Sequence, residues 1–237
     1  VVDSSAMSRG QESANALWGN EASVLVGDFL YSRAFEMMVE LKNMRVMEIL
    51  AHATNTIAEG EVMQLMNRHD ADTSEKSYLE VIHCKTAKLF EAAAQLGAVI
   101  SERTAAEEQA MAQYGMHLGT AFQLIDDVLD YTGSEQRIGK NLGDDLAEGK
   151  PTLPLIYAMQ HGSQTESNLI RQAINDDGLK LIEQVTEIIL KTRAIDYTAD
   201  LAQQEASKAA KAIAIIPHNA YKNALLDLVE FSVNRKF

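Results

Sequence analysis

Proline is nearly absent from this chain. The 237 residues hold three prolines, at positions 151, 154 and 217, and the first 150 residues hold none. Alternating runs of β-branched residues and hairpin turn sequences are equally scarce. Because proline ends helices and such alternating runs form strands, their scarcity excludes a β-rich fold and predicts long helices.

Cysteine, positive charge and long apolar runs are also scarce. One cysteine, Cys84, excludes an intramolecular disulfide framework and fits a cytoplasmic location. The net charge of −13 argues against nucleic acid as a partner. No apolar run approaches the roughly 20 residues that span a bilayer, so we expect no transmembrane segment. Neither a Gly-x-Gly-x-x-Gly nor a Gly-x-x-x-x-Gly-Lys-Ser/Thr pattern occurs, which excludes Rossmann and P-loop phosphate sites.

What the chain does contain favours an all-α protein. Apolar residues make up 46% of it, enough for a large core. We predict one domain over residues 1–237, a bundle in which the most apolar helical stretches, 86–100 and 118–129, lie inside. The predicted helices span residues 20–41, 44–67, 74–98, 104–132, 152–161, 165–176, 179–193, 194–216 and 218–235.

Two local patterns refine this prediction. Thr104 is followed by Glu107 at the offset of a capping box, which predicts a helix start at Thr104. The clearer amphipathicity of roughly the last 70 residues predicts that they form an outer layer of the bundle.

The most distinctive segment carries three carboxylates within one helical turn. Asp126, Asp127 and Asp130 lie in the sequence GTAFQLIDDVLDY, and residues four apart share a helix face. A solvated acidic face is the alternative for an isolated Asp-Asp-x-x-Asp. Here the apolar flanks would bury most of the helix, and like charges this close repel. We therefore predict a Mg²⁺ site, since Mg²⁺ takes a few carboxylates and completes its shell with water and phosphates.

Basic side chains accompany the acidic segment. Lys140 and Lys150 lie in a glycine-punctuated stretch downstream of it, and Lys85 and Thr86 precede an apolar helical stretch. For Lys85 the alternative is a side chain that reaches out to solvent. Lysines at the rim of a magnesium site predict that the other ligand is a polyphosphate.

On these residues the chain resembles the trans-polyprenyl diphosphate synthases, and most closely their long-chain octaprenyl members. The segments GTAFQLIDDVLDY and GKNLGDDLAEGKPTLPL resemble the family's second aspartate-rich motif and its lysine loop. Lys85-Thr86 matches the family's Lys-Thr pair, and Phe122-Gln123 matches its Phe-Gln pair.

The first residues carry the resemblance further. Val1-Val2-Asp3 is similar to the tail of the family's first aspartate-rich motif, so we expect N-terminal helices to precede this chain. The family's Arg-Arg-Gly is Ser8-Arg9-Gly10 here. Serine lacks the bidentate contact that a guanidinium makes with a diphosphate, so one such contact is lost.

The resemblance implies a fold, a reaction and a set of site residues. It implies an isoprenoid synthase-type bundle of antiparallel helices around a cavity, a homodimer in the cytoplasm, and Mg²⁺ as cofactor. The reaction is the head-to-tail condensation of isopentenyl diphosphate with an allylic diphosphate, giving a long all-trans product, octaprenyl diphosphate, for a respiratory quinone side chain. The implied metal ligands are Asp3, Asp126, Asp127 and Asp130. The implied diphosphate-binding residues are Arg9, Lys85, Thr86, Gln123 and Lys140, of which Lys85 and Lys140 join the four aspartates in the catalytic set.

Product length and reaction type leave alternatives open. We predict that Met38, about 15 Å along its helix from Asp28, helps to floor the product tunnel. A shorter-chain farnesyl or geranylgeranyl synthase is the nearest alternative. A class I terpene cyclase shares the chemistry but would not consume isopentenyl diphosphate, and a non-catalytic synthase-like subunit would turn over neither substrate.

Overall fold

The computed structural model describes residues 7–8, 11–132, 143–176 and 178–235, and helices dominate these ranges. Two short strands, β1 (Met7–Ser8) and β2 (Gln11–Glu12), pair antiparallel. The α-helices are α1 (Ala14–Glu40), α2 (Met44–Asn67), α3 (Glu75–Ile82), α4 (Lys88–Ile100), α5 (Ala105–Thr132), α6 (Asp144–Ala147), α7 (Leu153–His161), α8 (Gln164–Asn175), α9 (Ile182–Lys191), α10 (Ala194–Ala212) and α11 (Ala220–Asn234). A π-helical turn at His83–Ala87 and 3₁₀ turns at Gly178–Leu181 and Ile213–Ile215 complete the fold.

Helix boundaries that depend on local sequence agree with prediction. Helix α2 covers the predicted residues 44–67. At the start of α5 the Glu107 N–H donates to Thr104 Oγ1 (3.3 Å), and the Thr104 N–H donates to Glu107 Oε2 (3.1 Å), which is the predicted capping box. Helix α1 starts at Ala14 because a short helical stretch is joined across a kink at Gly19, whose φ is +82°, to the longer stretch that begins at the predicted residue 20.

Two segments differ from prediction. The helix predicted over 74–98 is divided into α3, the π-helical turn and α4. The segment 133–149, predicted only to interrupt the helices, contains the short helix α6 in its described part. Sequence periodicity does not detect either feature, since a π turn inserts a single residue into an otherwise helical pattern.

Helix α5 forms the centre of the bundle, between α4 and α10. A Cβ atom on Gly119 would lie 2.7 Å from the Cα atom of Ala87, so the two backbones touch where α5 crosses the π-helical turn. Helix α10 fits the predicted outer layer, since it leaves one face exposed and buries the other along α5. The small members of that face are Ala202, Ala206 and Ala209.

Helix α1 differs from the rest because it leaves its apolar side chains in solvent. Met38 is its one buried residue. Its exposed apolar side chains include Trp18, Leu25, Phe29 and Leu30. Among the described residues, no helix has the length and the low charge needed to cross a bilayer.

Candidate active site

A cavity of about 150 Å³ opens where α2, α3, the π-helical turn and α5 meet the segment between α6 and α7. Five of the predicted site residues line it: Lys85, Thr86, Gln123, Asp126 and Asp127. The other lining residues are Gln64, Asn67, Thr73, Tyr78, Val81, Ile82, Asp145, Lys150, Pro151 and Thr152.

Asp127 is the most deeply placed carboxylate of the cavity. It is 2% exposed, and two donors fix its orientation. The Tyr78 hydroxyl donates to Oδ2 at 2.6 Å, and Gln123 Nε2 donates to Oδ1 at 2.8 Å. Gln123 is one helical turn before Asp127 on α5, whereas Tyr78 reaches it from α3. Among the residues that the structure describes, helix packing therefore gives this carboxylate two neutral donors and no cationic hydrogen-bond partner.

Asp130 lies next to the cavity rather than in its lining. Its Oδ2 accepts the backbone N–H of Asp145 at 3.3 Å, so it holds the start of α6 against the end of α5. Burial, followed by the charge of Asp145, raises the pKa of both Asp127 and Asp130 well above the ordinary carboxyl range. The three predicted aspartates and Asp145 thus form an acidic cluster in which Asp127 and Asp130 keep their protons to a higher pH than ordinary carboxyl groups.

Lys85 occupies the π-helical turn, at a point where α2 approaches closely. A Cβ atom on Gly60 would lie 2.6 Å from the Lys85 backbone nitrogen, so this glycine permits the contact. The Lys85 ammonium pairs with Glu61 Oε2 at 3.0 Å and donates to the side-chain oxygen of Gln64. π-Helical turns are frequent at functional sites because they displace a side chain from the regular helical register.

Thr86 extends the polar network to the aspartates. Its hydroxyl donates to Gln123 Oε1 at 3.1 Å, and the amide of Gln123 in turn donates to Asp127. The chain from Thr86 through Gln123 to Asp127 connects the π-helical turn to α5. It fixes the Gln123 amide with its oxygen toward the hydroxyl and its nitrogen toward the carboxylate.

Lys150 provides a second cation in the cavity wall. Its ammonium pairs with Asp145 Oδ1 at 3.2 Å and with Glu148 Oε2 at 2.9 Å. Burial lowers the pKa of Lys150, but the two carboxylates outweigh it and raise that pKa above its usual value. The side chain therefore stays charged, as the prediction of a polyphosphate ligand requires.

Arg235 is a neighbour of the cavity residue Asp126 that sequence analysis did not identify. Its guanidinium lies 3.7 Å from the Phe122 ring centroid, donates to the Phe122 carbonyl at 2.6 Å, and is 3.8 Å from Asp126 Oδ1. A single arginine close to the end of the sequence gave no signal, because only folding brings it beside α5.

Three predicted site residues, Asp3, Arg9 and Lys140, lie outside the described residues. Met38 is buried but does not line the cavity, so its effect on product length stays a prediction.

The donor chemistry of the cavity fits a divalent cation such as Mg²⁺. Its carboxylate oxygens are hard ligands of the kind that such a cation prefers. The Thr73 hydroxyl is buried in the cavity wall and has no hydrogen-bond partner among the described residues. It can therefore bind water or a polar ligand. Within the described ranges, however, no three or more His, Cys, Asp or Glu side chains are arranged as a metal site. The described carboxylates would therefore need further ligands from substrate, water or other residues.

Comparisons of the sequence and the fold with known proteins all point to the same protein family. The chain matches the family described as polyprenyl synthetase over residues 1–191. It is 52% identical to the octaprenyl diphosphate synthase of Haemophilus influenzae, over 100% of this chain and 72% of that protein. It is 44% identical to the all-trans-nonaprenyl-diphosphate synthase (geranyl-diphosphate specific) of Rhodobacter capsulatus, over 99% and 72% respectively. Among solved structures, a polyprenyl synthase from Caulobacter crescentus complexed with calcium and isoprenyl diphosphate is 46% identical, with a TM-score of 0.95 over 100% of this chain and 73% of that one.

Proposed function

Because the chain belongs to the polyprenyl synthetase family, we propose that it condenses isopentenyl diphosphate head to tail with an allylic prenyl diphosphate. The product is a long all-trans polyprenyl diphosphate. The observation that carries this proposal is the juxtaposition, in one cavity, of Asp126 and Asp127 with the two lysines Lys85 and Lys150. Carboxylates for a divalent cation and ammonium groups for phosphate oxygens are what binding of a metal diphosphate requires.

The reaction breaks the allylic C–O bond, and negative charge develops on the departing diphosphate. Asp126, Asp127 and Asp130, with Asp3 from outside the described residues, would hold Mg²⁺, which supplies Lewis-acid stabilisation of that charge when bound. Tyr78 and Gln123 keep the Asp127 carboxylate in a fixed orientation.

The basic residues orient and neutralise the diphosphates. Lys85 and Lys150 bind phosphate oxygens, exchanging their present carboxylate partners for the substrate, and Lys140 is proposed to join them. Thr86 and Gln123 add hydrogen bonds, and Arg9 is proposed to bind isopentenyl diphosphate. The double bond of isopentenyl diphosphate attacks the allylic cation, and the proton that is lost goes to the departing diphosphate. No side-chain nucleophile is needed.

For product length we propose octaprenyl diphosphate, the precursor of a respiratory quinone side chain. Support comes from the 52% identity to an octaprenyl diphosphate synthase. Shorter farnesyl or geranylgeranyl products remain the alternative. Met38 is proposed to floor the tunnel, and a Met38→Ala variant should then give longer products by chromatography.

We also propose that the protein works as a homodimer in the cytoplasm. The apolar side chains that α1 leaves in solvent, among them Trp18, Leu25 and Phe29, support an interface between two copies. A cytoplasmic location is consistent with the single cysteine, Cys84, which is a free thiol. Sedimentation of the full-length protein tests the dimer.

Product analysis tests the reaction itself. The full-length protein is incubated with Mg²⁺, labelled isopentenyl diphosphate and farnesyl diphosphate. Elongation incorporates the label into a long prenyl chain and releases pyrophosphate. Pyrophosphate release without incorporation would indicate a terpene cyclase, and neither signal would indicate a non-catalytic subunit. Asp126→Asn is the matched control, since it removes one carboxylate charge without changing the size of the side chain.

A further inference from the structure

The connection between α2 and α3 is bonded to the turn that carries Lys150. The backbone N–H of His69 donates to the carbonyl of Gly149 at 2.8 Å. The guanidinium of the preceding residue, Arg68, donates through Nε to the carbonyl of Glu148 at 2.9 Å. These two residues, here termed the clasp, come about 80 residues earlier in the chain than the carbonyls that they hold.

The His69 side chain also packs against this turn. Nδ1 lies 2.8 Å from the carbonyl oxygen of Ile174, and because a carbonyl only accepts, Nδ1 carries the proton. The ring covers Gly149 so closely that a Cβ atom there would overlap it. His69 has φ +59° and Gly149 has φ +67°, both in the left-handed region. A non-glycine residue adopts that conformation only where surrounding contacts stabilise it.

The turn that the clasp contacts, residues 144–150, carries two side chains that line the cavity, those of Asp145 and Lys150. The Lys150 N–H donates to the Asp145 carbonyl at 2.9 Å, and the Lys150 ammonium pairs with the Asp145 carboxylate at 3.2 Å. The Asp145 N–H donates in turn to Asp130. The position of the turn therefore sets where the Lys150 ammonium and the Asp145 carboxylate lie relative to the carboxylates of α5.

We propose that Arg68 and His69 are positioning residues, which hold Lys150 and Asp145 in the geometry that binds the metal diphosphate. The inference rests on the proposed function. Neither clasp residue lines the cavity, so each acts through the turn and not on the substrate. The rate of such a reaction depends on how accurately the charged groups are placed around the metal diphosphate. A misplacement of about 1 Å can lower the rate by up to about 100-fold.

Arg68 provides the first test. Arg68→Met keeps the length of the side chain and removes the donor, whereas Arg68→Lys keeps a donor that can reach the Glu148 carbonyl. One lost hydrogen bond corresponds to a change of about 2- to 10-fold. We expect Arg68→Met to raise the KM for farnesyl diphosphate and the half-saturating Mg²⁺ concentration by that factor, and Arg68→Lys to restore most of it.

Gly149 and His69 provide the second test, as a double-mutant cycle. Gly149→Ala places a methyl group against the His69 ring and should loosen the turn. In a His69→Gly background the ring is gone, so the same methyl group should speed amide exchange within residues 144–150 by a smaller factor. Asp72→Asn is the matched control in this connection: it breaks an exposed ion pair with Arg171 (2.7 Å) and should leave both kinetics and exchange unchanged.

Hydrogen exchange separates positioning from general stability, without depending on turnover. Loss of the clasp should speed amide exchange within residues 144–150 and leave α5 and α10 protected. Unchanged exchange in 144–150, additive effects in the cycle, or equally faster exchange throughout the core would each overturn the proposal. If the wild-type protein does not elongate prenyl chains, the proposed function fails, whereas exchange and the cycle still decide whether the clasp holds the turn.

Discussion

Replacing Tyr78 by phenylalanine would remove one oxygen atom from the wall of the acidic cavity. In the present structure the Tyr78 hydroxyl donates to Asp127 Oδ2 at 2.6 Å, and both residues are buried. The substitution leaves the ring in place, so no large void forms. Within the described part of the chain, the donors to the Asp127 carboxylate fall from two to one, which is Gln123.

The magnitude follows from the charge on the acceptor. A buried hydrogen bond to an ionised carboxylate contributes about 1.5–3 kcal/mol, or about 1–2 pKa units. The pKa of Asp127 is already raised to about 8, by burial and then by Asp145, and the Tyr78 hydrogen bond opposes that rise. Tyr78→Phe should therefore raise this pKa further. Since a metal ion needs the ionised carboxylate, Mg²⁺ affinity at pH 7 should fall about 10- to 100-fold.

The direction of the pH dependence is fixed by the same shift. A carboxyl group whose pKa is higher in the folded than in the unfolded protein lowers the stability of the metal-free fold as pH rises through the window between them, from about 4 to about 8. Mg²⁺ binding should release protons in that window. The effect of Tyr78→Phe on affinity should be largest near pH 7 and should shrink above pH 9, where Asp127 becomes ionised in both proteins.

Titration calorimetry of Mg²⁺, with inorganic pyrophosphate present and at pH 7 and 9.5, measures this directly. Proton release is obtained by repeating the titration in buffers of different ionisation enthalpy. A Tyr78→Phe protein with wild-type affinity at pH 7, or with the same deficit at both pH values, would refute the reasoning. Either result would mean that the Tyr78 hydrogen bond does not control the protonation of Asp127.

Two further predictions concern the packing of α5. Gly115→Ala should lower the free energy of unfolding by about 1–3 kcal/mol in denaturant titrations, because its methyl group would meet the Phe90 backbone. Gly97→Ala, with nothing within 4 Å, is the control and should stabilise by up to about 1 kcal/mol. Burial raises the pKa of Glu205, but His117 and a neighbouring lysine outweigh it and lower that pKa overall. Its stabilising contribution is thus present above the unfolded value of 4.5 and lost as pH falls below it, so the difference in Tm between the wild type and Glu205→Gln should shrink from pH 7 to pH 4.

The amino-acid sequence by itself determined the helical class and the features that depend on neighbours along the chain. The bounds of α2 and the capping box of Thr104 and Glu107 follow from residues within one or two helical turns. The same holds for the placement of Asp126, Asp127 and Asp130 on a single helix, because their spacing alone sets it. The motif was informative because a cluster of like charges among apolar residues calls for a cation.

Only the tertiary structure decided how deeply each of these aspartates is buried and which side chains it contacts. Asp126 and Asp127 are adjacent in sequence, yet one faces Arg235 and the other is buried beneath Tyr78. The amphipathicity of α10 predicts one buried face, but only the fold shows that the alanines of this face let it pack closely along α5. The physical reason is that periodicity records only which face of a helix is apolar. Which element covers that face, and which distant side chain meets a carboxylate there, depends on the packing of the whole bundle.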